Sequence, residues 1–316
     1  MPRILFVKTS SLGDVVHNCP AASDVARRLP DATIDWVVEE AFAEVVRLHP
    51  AVARAIPVAI RRWRRTPFLP ATWSEIAAFA RALRAAPYDC VIDAQGLLKS
   101  AFVARLARGP RHGFDRASAR EPLAARFYDA VHAVSPALHA VERNRRLAAC
   151  ALGYAADGAC DYGLVASGEP PFAPARPYAV LLTMTSRADK LWPEERWRAL
   201  GQALAARGIV PVLPWGSERE RARAERIATA LPGAIVPPRL ALSALARLIA
   251  RARCAIGVDT GLTHLAAALG VPTLGLYCGS DPARTGLYGG RRAQNLGAPG
   301  AAPEAAEAIA ALEALL

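Results

Sequence analysis

Short apolar runs recur along this chain, and each is followed by a longer stretch with helical spacing. The first half holds "ILFVK", "TIDWVV", "AIPVAI" and "YDCVID", separated by "PAASDVARRL", "FAEVVRL" and "SEIAAFARALRA". The second half holds "YAVLLT", "GIVPVLP", "GAIVP", "CAIGVD" and "PTLGLY", with "PEERWRALGQALAARG", "ERARAERIATAL" and "LSALARLIARA" between them. Unbroken apolar runs are strands buried on both faces, and strands alternating with helices make parallel sheets covered by helices. The proline-rich "SGEPPFAPARP" fits neither element and reads as a linker. The expected class is α/β with two Rossmann-like domains whose parallel sheets face across a cleft. We expect domains at 1–167 and 178–302 around a linker at 168–177. The last helix, 303–316, has no strand after it and is expected to pack on something already built, with the first domain as the candidate.

A length of 316 residues accommodates two such halves, and 53% hydrophobic residues argue against disorder. No apolar stretch reaches the roughly 18 to 20 residues that span a bilayer, and the N-terminus enters a strand pattern without a leader-like segment. The cysteines Cys19, Cys90, Cys150, Cys160, Cys254 and Cys278 lie far apart, which points to reduced thiols and a cytosolic setting. A formal charge of +11 suggests an anionic partner, although the chain is rich in arginine throughout. One cluster stands out, "AIRRWRR", with Arg61, Arg62, Arg64 and Arg65 around Trp63.

Ligands of open parallel sheets bind beyond the carboxyl ends of the strands, so the residues that follow each strand carry the functional information. After the first strand comes "VKTSSLGDVVH", an acid-bearing loop where a nucleotide-binding chain often has G-x-G-x-x-G. The residues alone leave two readings of Asp14 open, a helix cap or a general base. In "DTGLTHLAAALG" a buried strand ends at Asp259. Thr260, Gly261 and Leu262 then open a helix whose amides and dipole favour an anion, with His264 in its first turn. A capped turn with a partly buried histidine is the plainer alternative. "LLTMTSRADKLWPEERW" adds Thr183, Thr185, Ser186, Arg187, Asp189 and Lys190 ahead of a helix start, a set suited to a diphosphate. "PVLPWGSERE" adds Trp215, Gly216 and Glu220, the last fit for a ribose or sugar hydroxyl, or simply for a solvated helix face.

With "VKTSSLGDVVH", "DWVVEE", "IPVAIRRWRR", "YDCVIDAQGLLKSA", "REPLAARFYD", "DKLWPEERW", "LPWGSERE" and "DTGLTHLAAAL", the chain resembles glycosyltransferase family 9, of GT-B fold, over almost its whole length. "AIRRWRR" and "DAQGLLKSA" point within that family to its first heptosyltransferase branch rather than its second. The resemblance implies inverting, metal-independent transfer of L-glycero-D-manno-heptose from ADP-heptose to the Kdo sugar of Kdo-lipid A, with no cofactor. Carried over by position, the donor contacts are Thr185, Ser186, Lys190, Glu220, Leu240, Asp259, Thr260, Gly261 and His264. Leu240 stands where the family commonly has methionine and Ser186 where it has threonine, and each keeps the kind of contact.

The resemblance also favours Asp14 as the base that takes the acceptor's proton, with Ser10 and Ser11 orienting the acceptor and Gly13 letting the backbone approach. Arg61, Arg62, Arg64, Arg65, Lys99 and Arg120 would then form a basic wall for the carboxylates and phosphates of the acceptor. Trp63 among arginines also suits the acidic cytoplasmic face of the inner membrane, where the protein would be peripheral. The competing classes are a non-catalytic nucleotide- or nucleic-acid-binding protein and an NAD-dependent oxidoreductase. Nucleic acid is not an expected partner, since the chain lacks an aromatic stacking platform, and the missing G-x-G-x-x-G counts against NAD.

Overall fold

A computed structural model describes residues 1–290 and 292–316. The chain forms two compact units, Met1–Leu164 and Val165–Leu316. The first is built on a sheet of β1 (Arg3–Val7), β2 (Thr33–Glu39), β3 (Val52–Val58), β4 (Cys90–Asp93), β5 (Arg111–Phe114) and β6 (Ala130–His132), ordered β3-β2-β1-β4-β5-β6 with every pairing parallel. The second sheet comprises β7 (Tyr178–Leu182), β8 (Val210–Val212), β9 (Cys254–Val258), β10 (Thr273–Tyr277) and β11 (Ala293–Gly297), ordered β11-β10-β9-β7-β8 and again parallel. The α/β expectation is met in both halves.

The strands are apolar because both faces of each sheet are covered. Along β7, Ala179 and Leu181 enter the core beneath the helices Glu194–Ala206 and Glu218–Ala228, while Tyr178, Val180 and Leu182 enter the one beneath Leu242–Ala250. Side chains alternate between faces, so a strand buried on both sides needs an apolar residue at every position. The run "GAIVP" is not a strand; it contributes a single bridge, Ile235 to Val212. β5, β6 and β11 were not anticipated, since "RHGF", "AVH" and "AQNLG" carry polar residues or are very short.

The proline-rich run expected as a linker falls inside the second unit. Phe172 packs on that unit's core, and the Glu169 carbonyl accepts from Arg247 Nε at 3.2 Å. The last helix, Ala305–Leu315, was expected to turn back to the first half. It lays Ala308, Ala311 and Leu312 on the second unit's core instead. Trp192 secures the segment before that helix, with Nε1 donating to the Pro303 carbonyl at 2.8 Å.

Strand order reverses between β1 and β4 in the first sheet and between β7 and β9 in the second. These are the places where adjacent loops diverge and leave room for a ligand. At the second, the helix Gly261–Ala268 presses onto β9, and Thr263 Oγ1 donates to the Val258 carbonyl at 2.7 Å. A Cβ at Gly257 would lie 2.1 Å from Thr263 Oγ1 and 2.9 Å from Leu182 Cβ. Gly257→Ala is therefore expected to destabilise the fold by about 1–3 kcal/mol, the usual cost of overpacking. Denaturant unfolding checks this through its midpoint, and an unchanged midpoint would mean that Thr263 can swing clear.

Candidate active site

In the first unit the site grows from the loop after β1. Ser11 caps the short helix Leu12–Val16, and Asp14 is that helix's third residue. The Ser11 amide donates to Asp14 Oδ2 at 2.8 Å, and Ser11 Oγ lies 3.3 Å from the same oxygen. Asp14 does cap the helix. Its other oxygen, Oδ1, accepts from Arg120 Nη2 at 2.6 Å. Burial works against the Asp14 charge, but the Lys8 and Arg120 cations and the Ser11 amide outweigh it and hold the carboxyl at about 2.

Lys8 is itself buried, and its Nζ donates to the Ala94 carbonyl at 2.6 Å and to Asn144 Oδ1 at 3.3 Å. Burial lowers its pKa to about 8 even with Asp14 nearby. Gln95 ties the loop to the neighbouring strand end, where its Oε1 accepts from the amides of Thr9 at 3.1 Å and Ser10 at 3.2 Å. Lys99 Nζ reaches Ser10 Oγ at 3.3 Å. Lys8, Gln95, Arg120, Arg143 and Asn144 line a small cavity, and two of its cations, Lys8 and Arg120, act on Asp14.

The arginine cluster follows β3 directly, as the helix Ile60–Trp63 and the residues after it. Its members differ. Arg62 is held by Glu40, with both contacts at 3.1 Å, and by Glu75 at 2.9 Å. Arg61 lies over the Phe42 ring, its Cζ 5.2 Å from the centroid, and donates its amide to Glu39 Oε1 at 2.9 Å. Arg64 and Arg65 are exposed.

In the second unit Asp259 is the hub. Its Oδ2 accepts from Lys190 Nζ at 2.6 Å and from Ser280 Oγ, and Oδ1 lies 3.3 Å from His264 Nε2. Its backbone carbonyl accepts from Thr185 Oγ1 at 3.1 Å. Burial disfavours the charge, yet the contacts from His264, Lys190 and Ser280 hold this acid well below the carboxylate range. Thr260 caps the helix opened by Gly261 and Leu262, beside this cluster. Ser186 is exposed next to Thr185. Glu220 and Leu240 make other contacts. Glu220 Oε2 accepts from the Gly216 amide at 2.6 Å, and Leu240 packs on the core near Leu245. Pro193 is the N-cap of the helix Glu194–Ala206.

Each unit thus offers a polar site at its strand-order reversal, one with a carboxylate amid cations and the other with a cation and helix amides suited to a phosphate. The family model for glycosyltransferase family 9 (heptosyltransferase) matches residues 76–311. The chain belongs to glycosyltransferase family 9. Within that family it is 51% identical to lipopolysaccharide heptosyltransferase 1 of Pseudomonas aeruginosa, over 91% of this chain and 81% of that protein. It is 48% identical to the Escherichia coli K12 protein of the same name, over 91% of each. Among solved structures it overlays the E. coli heptosyltransferase WaaC with ADP at a TM-score of 0.93, with 44% identity, covering 99% of this chain and all of the other. The family's GT-B fold and transferase activity therefore apply here, which sets aside a binding protein without catalysis.

Sequence reading did not single out Lys8, Gln95, Arg143 or Ser280. Lys8 stood inside a quoted motif, and its place directly after a buried strand was the available signal. Ser280 follows β10, another strand end.

The depressed Asp14 value has a consequence with a definite sign. The unfolded chain, near 3.9, takes up this proton first, so the contribution of Asp14 to stability is full above about pH 4 and fades as pH falls toward 2. In Arg120→Met one of the groups favouring the charge is gone. Carboxyl 13C NMR should then show Asp14 titrating above 2, closer to its ordinary range. An unmoved titration would assign the depression to Lys8 and Ser11.

Proposed function

We propose that this glycosyltransferase moves L-glycero-D-manno-heptose from ADP-heptose to the Kdo sugar of Kdo-lipid A, with inversion at the anomeric carbon. The observation that carries the reading is the near-complete overlay on a heptosyltransferase solved with ADP, combined with the convergence of Thr185, Lys190, Thr260, Gly261 and His264 on Asp259. A related structure, 44% identical, holds ADP-2-deoxy-2-fluoro heptose. The acceptor assignment rests on the naming of the relatives and on the basic residues of the first unit.

Inversion needs one displacement. The acceptor hydroxyl attacks the anomeric carbon, the bond to the ADP oxygen breaks, and a base takes the hydroxyl proton. Asp14 is the proposed base. A carboxyl held at about 2 is always ionised at neutral pH but is a weak base, so proton transfer follows bond formation rather than preceding it. An acceptor carboxylate that draws Arg120 to itself removes one of the groups favouring the Asp14 charge, and binding then raises its basicity. On the donor side, Lys190 and the amides of Gly261 and Leu262 meet the diphosphate as negative charge builds on the leaving ADP. Asp259 keeps Lys190 in place. Glu220 and Leu240 take the ribose and adenine side. Ser10, Ser11, Gly13 and Lys99 shape the acceptor pocket.

Among the described residues no helix is long and apolar enough to cross a membrane. A lipid acceptor brings the enzyme to a membrane surface, and we place it peripherally on the cytoplasmic face of the inner membrane.

Asp14→Asn preserves an acceptor for the Ser11 amide and removes only the basicity. Turnover with ADP-heptose and Kdo-lipid A is expected to fall by roughly a hundred- to ten-thousand-fold, with ADP affinity unchanged. Near-normal turnover would return Asp14 to capping alone. Lys190→Ala should weaken ADP binding by about 1.5–3 kcal/mol in calorimetry, as a lost charge-assisted contact does. Equal affinity would move the diphosphate elsewhere.

A further inference from the structure

Trp63, the aromatic residue of the arginine cluster, is turned inward. Its Nε1 donates to Glu75 Oε2 at 2.8 Å, and its ring meets Phe79 edge-on at 5.9 Å. What faces outward lies just beyond it. Phe68, Leu69 and Trp73 are 94%, 53% and 63% exposed. Phe68 and Leu69 lie in the corner between the helices Ile60–Trp63 and Pro70–Arg84, and Trp73 lies in the first turn of the second helix.

This corner is firmly built. Thr72 is buried, its Oγ1 donating to the Thr66 carbonyl at 2.7 Å and lying 2.9 Å from Thr66 Oγ1. The Leu69 amide donates to the Thr66 carbonyl at 3.3 Å, and Trp73 Nε1 to the Pro67 carbonyl at 3.0 Å. Polar groups at the tip are thus satisfied within the turn, while the apolar side chains are left outside. Single exposed hydrophobic residues are ordinary, but three large ones within six residues at one pinned corner mark a surface that meets something apolar.

Charge indicates what that is. Arg61, Arg64 and Arg65 are exposed beside the corner, and among the described residues no carboxylate forms an ion pair with any of them. Arg62 alone is neutralised, by Glu40 and Glu75. Exposed arginines next in sequence to an apolar tip with a tryptophan match a bilayer of anionic lipid, whose headgroups attract the former and whose interface takes the latter.

We propose that Phe68, Leu69 and Trp73 insert into the interface of an anionic phospholipid leaflet while Arg61, Arg64 and Arg65 contact its headgroups. The purpose of this docking rests on the lipid-linked acceptor proposed above, whereas the docking itself is measured without any reaction. The full chain is sedimented with vesicles of phosphatidylcholine and with vesicles of phosphatidylcholine and phosphatidylglycerol in equal parts. Wild type is expected to bind the anionic vesicles far better than the neutral ones, and less as salt is added.

The triple variant Phe68→Ser, Leu69→Ser, Trp73→Ser is expected to lose at least about ten-fold in affinity for the anionic vesicles. Its transfer to a soluble, de-acylated acceptor should match wild type. If the triple variant unfolds, Phe68→Ser alone keeps the test, with a smaller loss in the same direction. Equal vesicle binding by variant and wild type overturns the proposal, and so does a variant whose only defect is on the soluble acceptor. In the first case the corner meets a protein, in the second the acceptor itself. Absence of transfer by wild type would count against the proposed reaction and leave the vesicle result standing.

Discussion

A parallel sheet covered by helices on both faces excludes charge from its middle, and this constraint places nearly everything else. In β1, Ile4 to Val7 are fully buried, and the first polar residues available are those that leave the sheet at its carboxyl edge. One charge inside a strand shows what the alternative requires. Asp35 of β2 is fully buried, and its Oδ2 accepts from Arg3 Nε at 3.1 Å, Arg54 Nη2 at 2.9 Å and Tyr88 OH at 2.9 Å. Such a group is locked by its partners. The charges that remain open to a ligand stand where the strands end, and they are most concentrated where strand order reverses.

Both units obey the same rule with opposite chemistry. After β1 the chain supplies a carboxylate beside Lys8 and Arg120; after β7 and β9 it supplies a lysine, hydroxyls and helix amides around Asp259. Two leftover polar groups follow it. Thr9 Oγ1 and Thr183 Oγ1, each just past the first strand of its sheet, are buried without a hydrogen-bond partner among the described residues. The two halves share an architecture and divide the labour.

How much of this was legible in the sequence follows from how local each signal is. Asp14, Asp259 and Lys190 could be read because strand ends announce themselves as a change from apolar to polar, and the parallel architecture makes those ends functional. The cap at Asp14 was legible as well, since the spacing from Ser11 allows it; the base role is the reading proposed above. Gln95 was not, because its role depends on amides of Thr9 and Ser10 that come from a different strand. Trp63 was misjudged for a related reason. Its flanking arginines suggested exposure, but Glu75 and Phe79 on the next helix draw it in. "GAIVP" has the composition of a strand, yet it pairs at only one position. The last helix carried an apolar face and no indication of which core it would join, and the choice was made by packing on the second unit.

The Asp259 hub has a consequence for how the second unit forms. Its partners come from Thr185, Lys190 and Ser280, at sequence separations of 74, 69 and 21 residues. Contacts of that range incur their loop-closure cost before they return any stabilisation, so they belong to the late, cooperative part of folding. A nascent chain shows no fragment of this pocket until β7, β9 and the loop after β10 are all in register. A nucleotide held there, as proposed above, would add its binding energy only to molecules whose second sheet is complete.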